Sequence, residues 1–143
     1  MEKRVITMEA LQEDAEQNLV KDGHITPVLF ICTGEEAYLV DATEAVADIE
    51  KMVQWTVKVV QEKKAYKVYF VSEIWKHEVE EEKIVKSTEA YQIIEIRQDT
   101  INLFIRDFVK DKDIVLFTKG GGTTVTPEDN IFKQVQQSLN YLQ

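Results

Sequence analysis

The chain has 143 residues, 44% of them hydrophobic and 30% charged, which is typical of a single folded domain with its own core. A formal net charge of −9 argues against a nucleic-acid-binding protein, because such proteins normally present a basic surface. We expect a cytoplasmic protein, since no apolar run could span a bilayer or act as a signal peptide and the single cysteine excludes an internal disulfide.

The first predicted element is an amphipathic helix over residues 7–22. Apolar residues recur there at helical spacing, Thr7 suits the N-cap, and Gly23 stands where a helix commonly ends. Two short apolar runs follow at 28–33 and 37–41, separated by a glycine-containing turn. This pattern predicts a β-hairpin.

The second predicted helix runs from Asp41 to about Lys64. Asp41 and Glu44 match a capping box, in which each side chain binds a free backbone N–H of the first turn. The apolar stripe behind them is broad, so we expect this helix to lie across a sheet.

From Lys67 onward the apolar pattern mostly has a period of two, which is strand geometry. The glutamate-rich segment 77–83, after the first strand, reads either as a charged loop or as a strand extension. Further strands are predicted over 91–97, over 100–108, where a helical pattern also fits, and over 113–118, with 123–126 as a returning hairpin arm. Thr126 and Pro127 are expected to start the last helix.

The predicted order is helix, hairpin, helix, meander and helix. Since the strands cluster and do not alternate with helices, the fold class is α+β in a single domain over residues 1–143. We expect a mainly antiparallel sheet packed against a long central helix, with helices at both ends of the chain.

Residues that could carry catalysis are few. His24 and His77 form no metal-ligand pair, so neither a metal site nor a cofactor is expected. Cys32 lies within an apolar strand run, where a cysteine is usually a small buried core residue and not a nucleophile.

The strand that begins at Lys67 carries the only set of side chains in the sequence that suggests a catalytic site. Glu73, Trp75 and His77 alternate onto one face. A partly buried glutamate beside a tryptophan would suit general acid–base work, with His77 or His24 as its partner. The structural alternative is a solvent-facing Glu73 that pairs with a lysine across the sheet.

The run Gly120, Gly121 and Gly122 lies between a predicted strand and the last helix, a position that permits an anion- or ligand-binding loop. It matches no phosphate-loop pattern, and two carboxylates, Glu128 and Asp129, follow at the helix start. A flexible hairpin tip is therefore the favoured interpretation.

Two short motifs resemble a group of small uncharacterised microbial and phage proteins: a Gly-His-x-x-Pro start at Gly23 and a Ser-Glu-x-Trp strand at Ser72. The resemblance covers roughly the first ninety residues and implies no activity. It implies a role beyond simple packing for five residues: Gly23, Pro27, Ser72, Glu73 and Trp75. The glutamate-rich segment and the glycine run are not part of the pattern.

These observations favour a non-enzymatic interaction or small-ligand-binding protein that forms a homodimer by covering the edge of its last strand. Candidate ligand contacts are Glu73, Trp75 and the three glycines. The alternative is a small acid–base hydrolase that uses Glu73 with His77 or His24, with or without a metal. A third class, an acidic partner of a basic protein, would show strongly salt-sensitive binding.

Overall fold

The computed structural model describes residues 6–34, 36–44, 47–112, 114–125 and 132–139. These residues form three helices and seven strands, which follow one another as α1 (Met8–Asp22), β1 (Val28–Cys32), β2 (Ala37–Asp41), α2 (Ile49–Lys63), β3 (Lys67–Glu80), β4 (Lys83–Arg97), β5 (Ile101–Asp111), β6 (Ile114–Phe117), β7 (Gly121–Val125) and α3 (Lys133–Ser138). Every pair of neighbouring strands is antiparallel, so the predicted mixed fold with an antiparallel sheet is confirmed.

Helix α1 begins and ends where the sequence predicted. The Thr7 hydroxyl oxygen accepts a hydrogen bond from the N–H of Ala10 at 3.1 Å and so caps the first turn. Gly23 ends the helix in the left-handed region, with φ 78°, and its N–H donates to the carbonyl of Leu19.

Helix α2 begins later than predicted, at Ile49 and not near Asp41. The Asp41 carboxylate accepts from both the N–H and the hydroxyl of Thr43, which makes a local turn after β2 and leaves no cap for a helix. Asp48 is the N-cap, and its side chain accepts from the N–H of Lys51. At 15 residues, the expected long central helix is no longer than α1.

The strands lie in the order β2-β1-β3-β4-β5-β6, and β7 also pairs with β5. Strands β3 to β6 are neighbours in sequence order, as expected for a meander. The segment 77–83 is a strand extension, because β3 and β4 pair as far as Glu80 and Lys83 and are joined by a two-residue turn. Residues 101–108 are strand and not helix.

Strands β6 and β7 form one interrupted strand along the outer side of β5. Phe117 lies opposite Phe108 and Gly121 lies opposite Ile105, so three residues on this side face two on β5. The extra residue is a β-bulge. The predicted returning arm at 123–126 is therefore wrong, because β7 continues in the direction of β6 and pairs with β5.

The sheet separates two hydrophobic cores. On one face, which we call the α2 face, helices α2 and α3 cover alternate strand residues, among them Leu29, Ile31, Val68, Phe70, Ile94, Ile96 and Ile101. On the other, the α1 face, helix α1 covers a second set that includes Cys32, Tyr69, Val71, Tyr91, Ile93 and Phe108. The molecule thus has three layers, with the sheet in the middle.

Val135 of helix α3 and Leu139, the residue after it, add two buried side chains to the core of the α2 face. The predicted helix start at Thr126 and Pro127 lies outside the described residues.

Candidate functional site

Glu73 lies on the α1 face of β3, where the strand begins to emerge from under the helices. It is half-buried, and its carboxylate accepts a hydrogen bond from the backbone N–H of Ile25 at 2.5 Å. The partner is therefore a backbone group in the loop after α1 and not the lysine considered from the sequence. This bond fastens β3 to that loop.

The other members of the predicted catalytic group are exposed side chains, whereas Glu73 is half-buried. Trp75 is 59% exposed, and His77, further along β3, is exposed with its Nδ1 2.8 Å from the hydroxyl oxygen of Ser87. His24 is next to Ile25 in the chain, but its ring bonds the carbonyl of Asp22 at 3.1 Å. Among the described contacts, neither histidine is hydrogen-bonded to Glu73.

The glycine run does not form a hairpin tip, so that interpretation is wrong: Gly120 lies in the connection between β6 and β7, and β7 pairs with β5 from Gly121 onward. A Cβ atom at Gly120 would lie 2.4 Å from Cζ of Phe104 and 2.9 Å from Nε of Arg106, which means that only glycine fits there without movement. Gly121 and Gly122 belong to β7.

A small cleft adjoins the glycine run. Gly122 lines this cleft of about 430 Å³ together with Glu95, Asn102 and the two threonines of β7. Ligand binding by the three glycines stays a prediction, and of the three only Gly122 is among the described residues that line this cleft.

Glu95, at the floor of this cleft, is a buried carboxylate that sequence reasoning missed. It is 8% exposed and accepts hydrogen bonds from the Tyr69 hydroxyl at 2.6 Å, from Asn102 at 3.0 Å and from Arg97 at 3.1 Å. Burial alone would raise the pKa of this carboxyl, but the three donors more than offset it and hold the pKa below its usual value. Glu95 is therefore an ionised group that accepts three hydrogen bonds from the protein itself.

Two further buried side chains, Lys67 and Cys32, lie on the same face of the sheet as Glu95. Lys67 donates to the carbonyl of Ile6 at 3.0 Å, and its ammonium lies 5.2 Å from the ring centroid of Tyr69. Burial raises the pKa of the Cys32 thiol to about 11 even though Lys67 lowers it, so the thiol is protonated at neutral pH. The sequence did contain a signal for this buried group: Lys67 and Glu95 are charged residues at inward-facing positions of two otherwise apolar strands.

Glu16, Tyr91 and Arg106 form a second polar cluster, which joins α1 to the sheet. The Glu16 carboxylate accepts from the Arg106 guanidinium at 2.7 Å and from the Tyr91 hydroxyl at 2.6 Å. These contacts hold α1 over β4 and β5 and leave the β1–β2 side of the same face without a helix above it.

The two hairpins at one end of the sheet are the most unusual surface of the molecule. We call residues 75–87 the first arm and residues 108–117 the second arm. Every residue of the first arm is exposed, so it stands free of both helical layers. Of the ten large hydrophobic side chains that are exposed among the described residues, seven lie on the two arms: Trp75, Val79, Ile84, Val85, Val109, Ile114 and Leu116.

Within the described residues, no three or more His, Cys, Asp or Glu side chains are grouped so that they could hold a metal ion. No helix in the same part of the chain is both long enough and apolar enough to cross a membrane. Searches against protein-family models, curated proteins and solved structures gave no match for this chain.

Proposed function

We propose that this chain is a cytoplasmic, non-enzymatic interaction protein that works as a homodimer, in which the arms of one copy pack against the arms of the other. The observation that carries the proposal is the concentration of exposed large apolar side chains on the arms. Exposed apolar residues are ordinary when they are scattered, but a concentration of them at one end of a domain is typical of a protein–protein interface.

Each arm carries an exposed apolar pair across its two strands. Val79 lies directly opposite Ile84 on the first arm, and Val109 lies opposite Leu116 on the second. The first arm has no covered face, and a two-stranded hairpin of that kind is marginally stable in water. A second copy that covers these pairs would remove them from water and stabilise both arms.

Strand β6 of the second arm is also an outer strand of the sheet. Its outward-facing backbone groups and its exposed Ile114 and Leu116 make an edge that readily pairs with another chain. Covering this edge in a closed dimer protects it from open-ended association.

The contacts of Glu73 favour an interaction protein over the alternative acid–base enzyme. Its carboxylate is engaged by the backbone N–H of Ile25, and the two histidines are bonded elsewhere. A general base needs to reach a substrate proton, and this carboxylate already has a donor from the protein.

Sedimentation velocity over a range of concentrations tests the homodimer. Val79→Glu puts a charge on the first arm, and Val20→Glu is a matched control, because the two valines are 60% and 59% exposed and Val20 lies on α1. We expect Val79→Glu to raise the dimer dissociation constant by about tenfold or more, since burying a valine is worth roughly 1.5 kcal/mol and a charge costs more.

The control variant should dimerise like the wild type. A wild-type protein that stays monomeric at high concentration would refute the dimer. A dimer that both substitutions leave unchanged would show that the arms are not its interface.

A further inference from the structure

A second surface, separate from the arms, lies between α1 and the β1–β2 hairpin. Because α1 packs over β4 and β5, no described helix covers the α1 face of β1 and β2: Val28 and Phe30 are half-buried, and Leu39 is 64% exposed. These three side chains form the floor of a groove of about 480 Å³, and α1 forms its wall with Asp14 and Asn18. We call this the β2 groove.

Strand β2 forms one edge of the groove and is also the other outer strand of the sheet. Its five residues, Ala37–Asp41, pair with β1 in an unbroken register and contain no proline and no lysine, which are common means of protecting an edge. Tyr38 and Val40 pack against the core of the α2 face, so the strand is held in place while its outer backbone groups are left for a partner.

The groove carries acidic side chains, which favour a basic occupant. Asp14 and Asp22 are among the lining residues, and the lining residues that the structure describes include His24 but no lysine or arginine. Asp41 lies on the same face of β2 as Leu39, and hydrogen bonds from Thr43 hold the pKa of its carboxyl below the usual value. A second copy of this acidic chain would bring like charges together, whereas a basic segment would be attracted.

We propose that the β2 groove binds an extended, basic peptide segment of a partner protein, which adds to the sheet as a strand beside β2. Its backbone would pair with the outer N–H and C=O groups of β2, and one apolar side chain would lie against Leu39 and Phe30. This combination of an edge strand with an adjoining pocket is a common mode of peptide recognition, in which the backbone gives affinity and the pocket gives specificity. The proposal does not depend on the arms.

The geometry of a strand sets the sequence of the occupant. Side chains alternate between the two faces, so every second residue of an added strand points into the groove. A basic–x–apolar–x–basic pattern therefore places its apolar residue beside Leu39 and a basic residue on either side of it, on the same face of the sheet as Asp41 and as the groove lining that includes Asp14 and Asp22.

A labelled peptide Thr-Lys-Thr-Leu-Thr-Lys-Thr tests the proposal by fluorescence anisotropy and by amide chemical-shift changes in the ¹⁵N-labelled protein. We expect shifts on β2 and on the groove side of α1, and binding that weakens as salt increases. A peptide with glutamates in place of the lysines should bind at least about tenfold more weakly, as should one N-methylated at the amides that face β2.

Leu39→Glu and Leu116→Glu form a matched pair of variants, because the two leucines are 64% and 57% exposed and lie in the groove and on the second arm. Leu39→Glu should weaken peptide binding by about tenfold or more and leave the homodimer intact. Leu116→Glu should weaken the homodimer and leave peptide binding intact. Asp14→Asn with Asp22→Asn gives a second test that keeps the floor of the groove unchanged and should reduce the salt dependence.

Three outcomes would overturn the peptide site. These are no binding of the lysine peptide, equal binding of its N-methylated form, and binding that Leu39→Glu leaves unchanged. Loss of the homodimer in Leu39→Glu but not in Leu116→Glu would also overturn it, because the groove would then be an interface between copies. Failure of the arm variants alone leaves the peptide site standing.

Discussion

Replacement of Gly120 by alanine probes the packing at the β-bulge between β6 and β7. The added methyl carbon would lie 2.4 Å from Cζ of Phe104 and 2.9 Å from both Cε2 of Phe104 and Nε of Arg106, far inside normal contact distances. Two neighbours limit where the ring of Phe104 can move. Its centroid lies 6.0 Å from that of Tyr91, and the Arg106 guanidinium sits 5.3 Å from it.

The expected cost of Gly120→Ala is that of overpacking, about 1–3 kcal/mol of the free energy of unfolding. For a domain of this length each kcal/mol corresponds to roughly 3 °C, so the melting temperature should fall by about 3–9 °C. Gly121→Ala is the matched control. No atom lies within 4 Å of its added carbon, so its melting temperature should stay within about 2 °C of the wild type.

Calorimetry or circular dichroism measures both melting temperatures, and a double variant isolates the cause. If the clash is with the ring, Gly120→Ala should cost much less in a Phe104→Ala background, since the methyl group then fills the vacated space. Equal melting temperatures for Gly120→Ala and Gly121→Ala would refute the reasoning. An undiminished cost in the Phe104→Ala background would assign the effect to another contact.

Two further predictions concern the first arm and the buried carboxylate. Glu81 and Glu82 form the two-residue turn between β3 and β4 with φ 49° and 64°, a conformation that favours Asn-Gly. The double variant Glu81→Asn with Glu82→Gly should therefore add about 1–2 kcal/mol to the free energy of unfolding measured by denaturant. An unchanged denaturation midpoint would contradict this prediction. Because the pKa of Glu95 is held below its unfolded value of about 4.3, its contribution to stability is full above that pH and is lost as the pH falls through the folded pKa. The wild type should therefore lose more stability than Glu95→Gln between pH 6 and pH 3, and parallel losses would count against this.

The sequence predicted those elements whose signals are local. Thr7 and Gly23 determine the two ends of α1 through contacts within four residues, so both ends were predictable. The start of α2 was not, because Asp41 and Asp48 both suit a cap. The choice between them depends on pairing of Asp41 with Val28, which keeps Asp41 in β2.

The first arm was ambiguous for a different reason. Apolar alternation in a strand arises when one face is buried, and the arm is exposed on both faces. Its glutamates therefore carry no strand pattern, although they lie in a regular ladder that continues from the buried part of β3.

The candidate sites were least predictable, since most of their contacts join different elements of the fold. Alternation correctly indicated that Glu73 shares a face with Trp75, but the donor to its carboxylate, Ile25, lies 48 residues away. The donors to Glu95 come from three different strands. A strand pattern tells which face a residue occupies and not which residue stands across from it.

The order of strands in the sheet also bears on how the chain folds. Strands β3, β4, β5 and β6 are joined by short turns, whereas β1 reaches β3 only across the whole of α2. Closing a long loop costs more entropy than closing a short one, so we expect the meander to form early and the β1–β2 hairpin to dock late. The β2 groove is then completed in the final step of folding, and a segment bound there would slow the first step of unfolding.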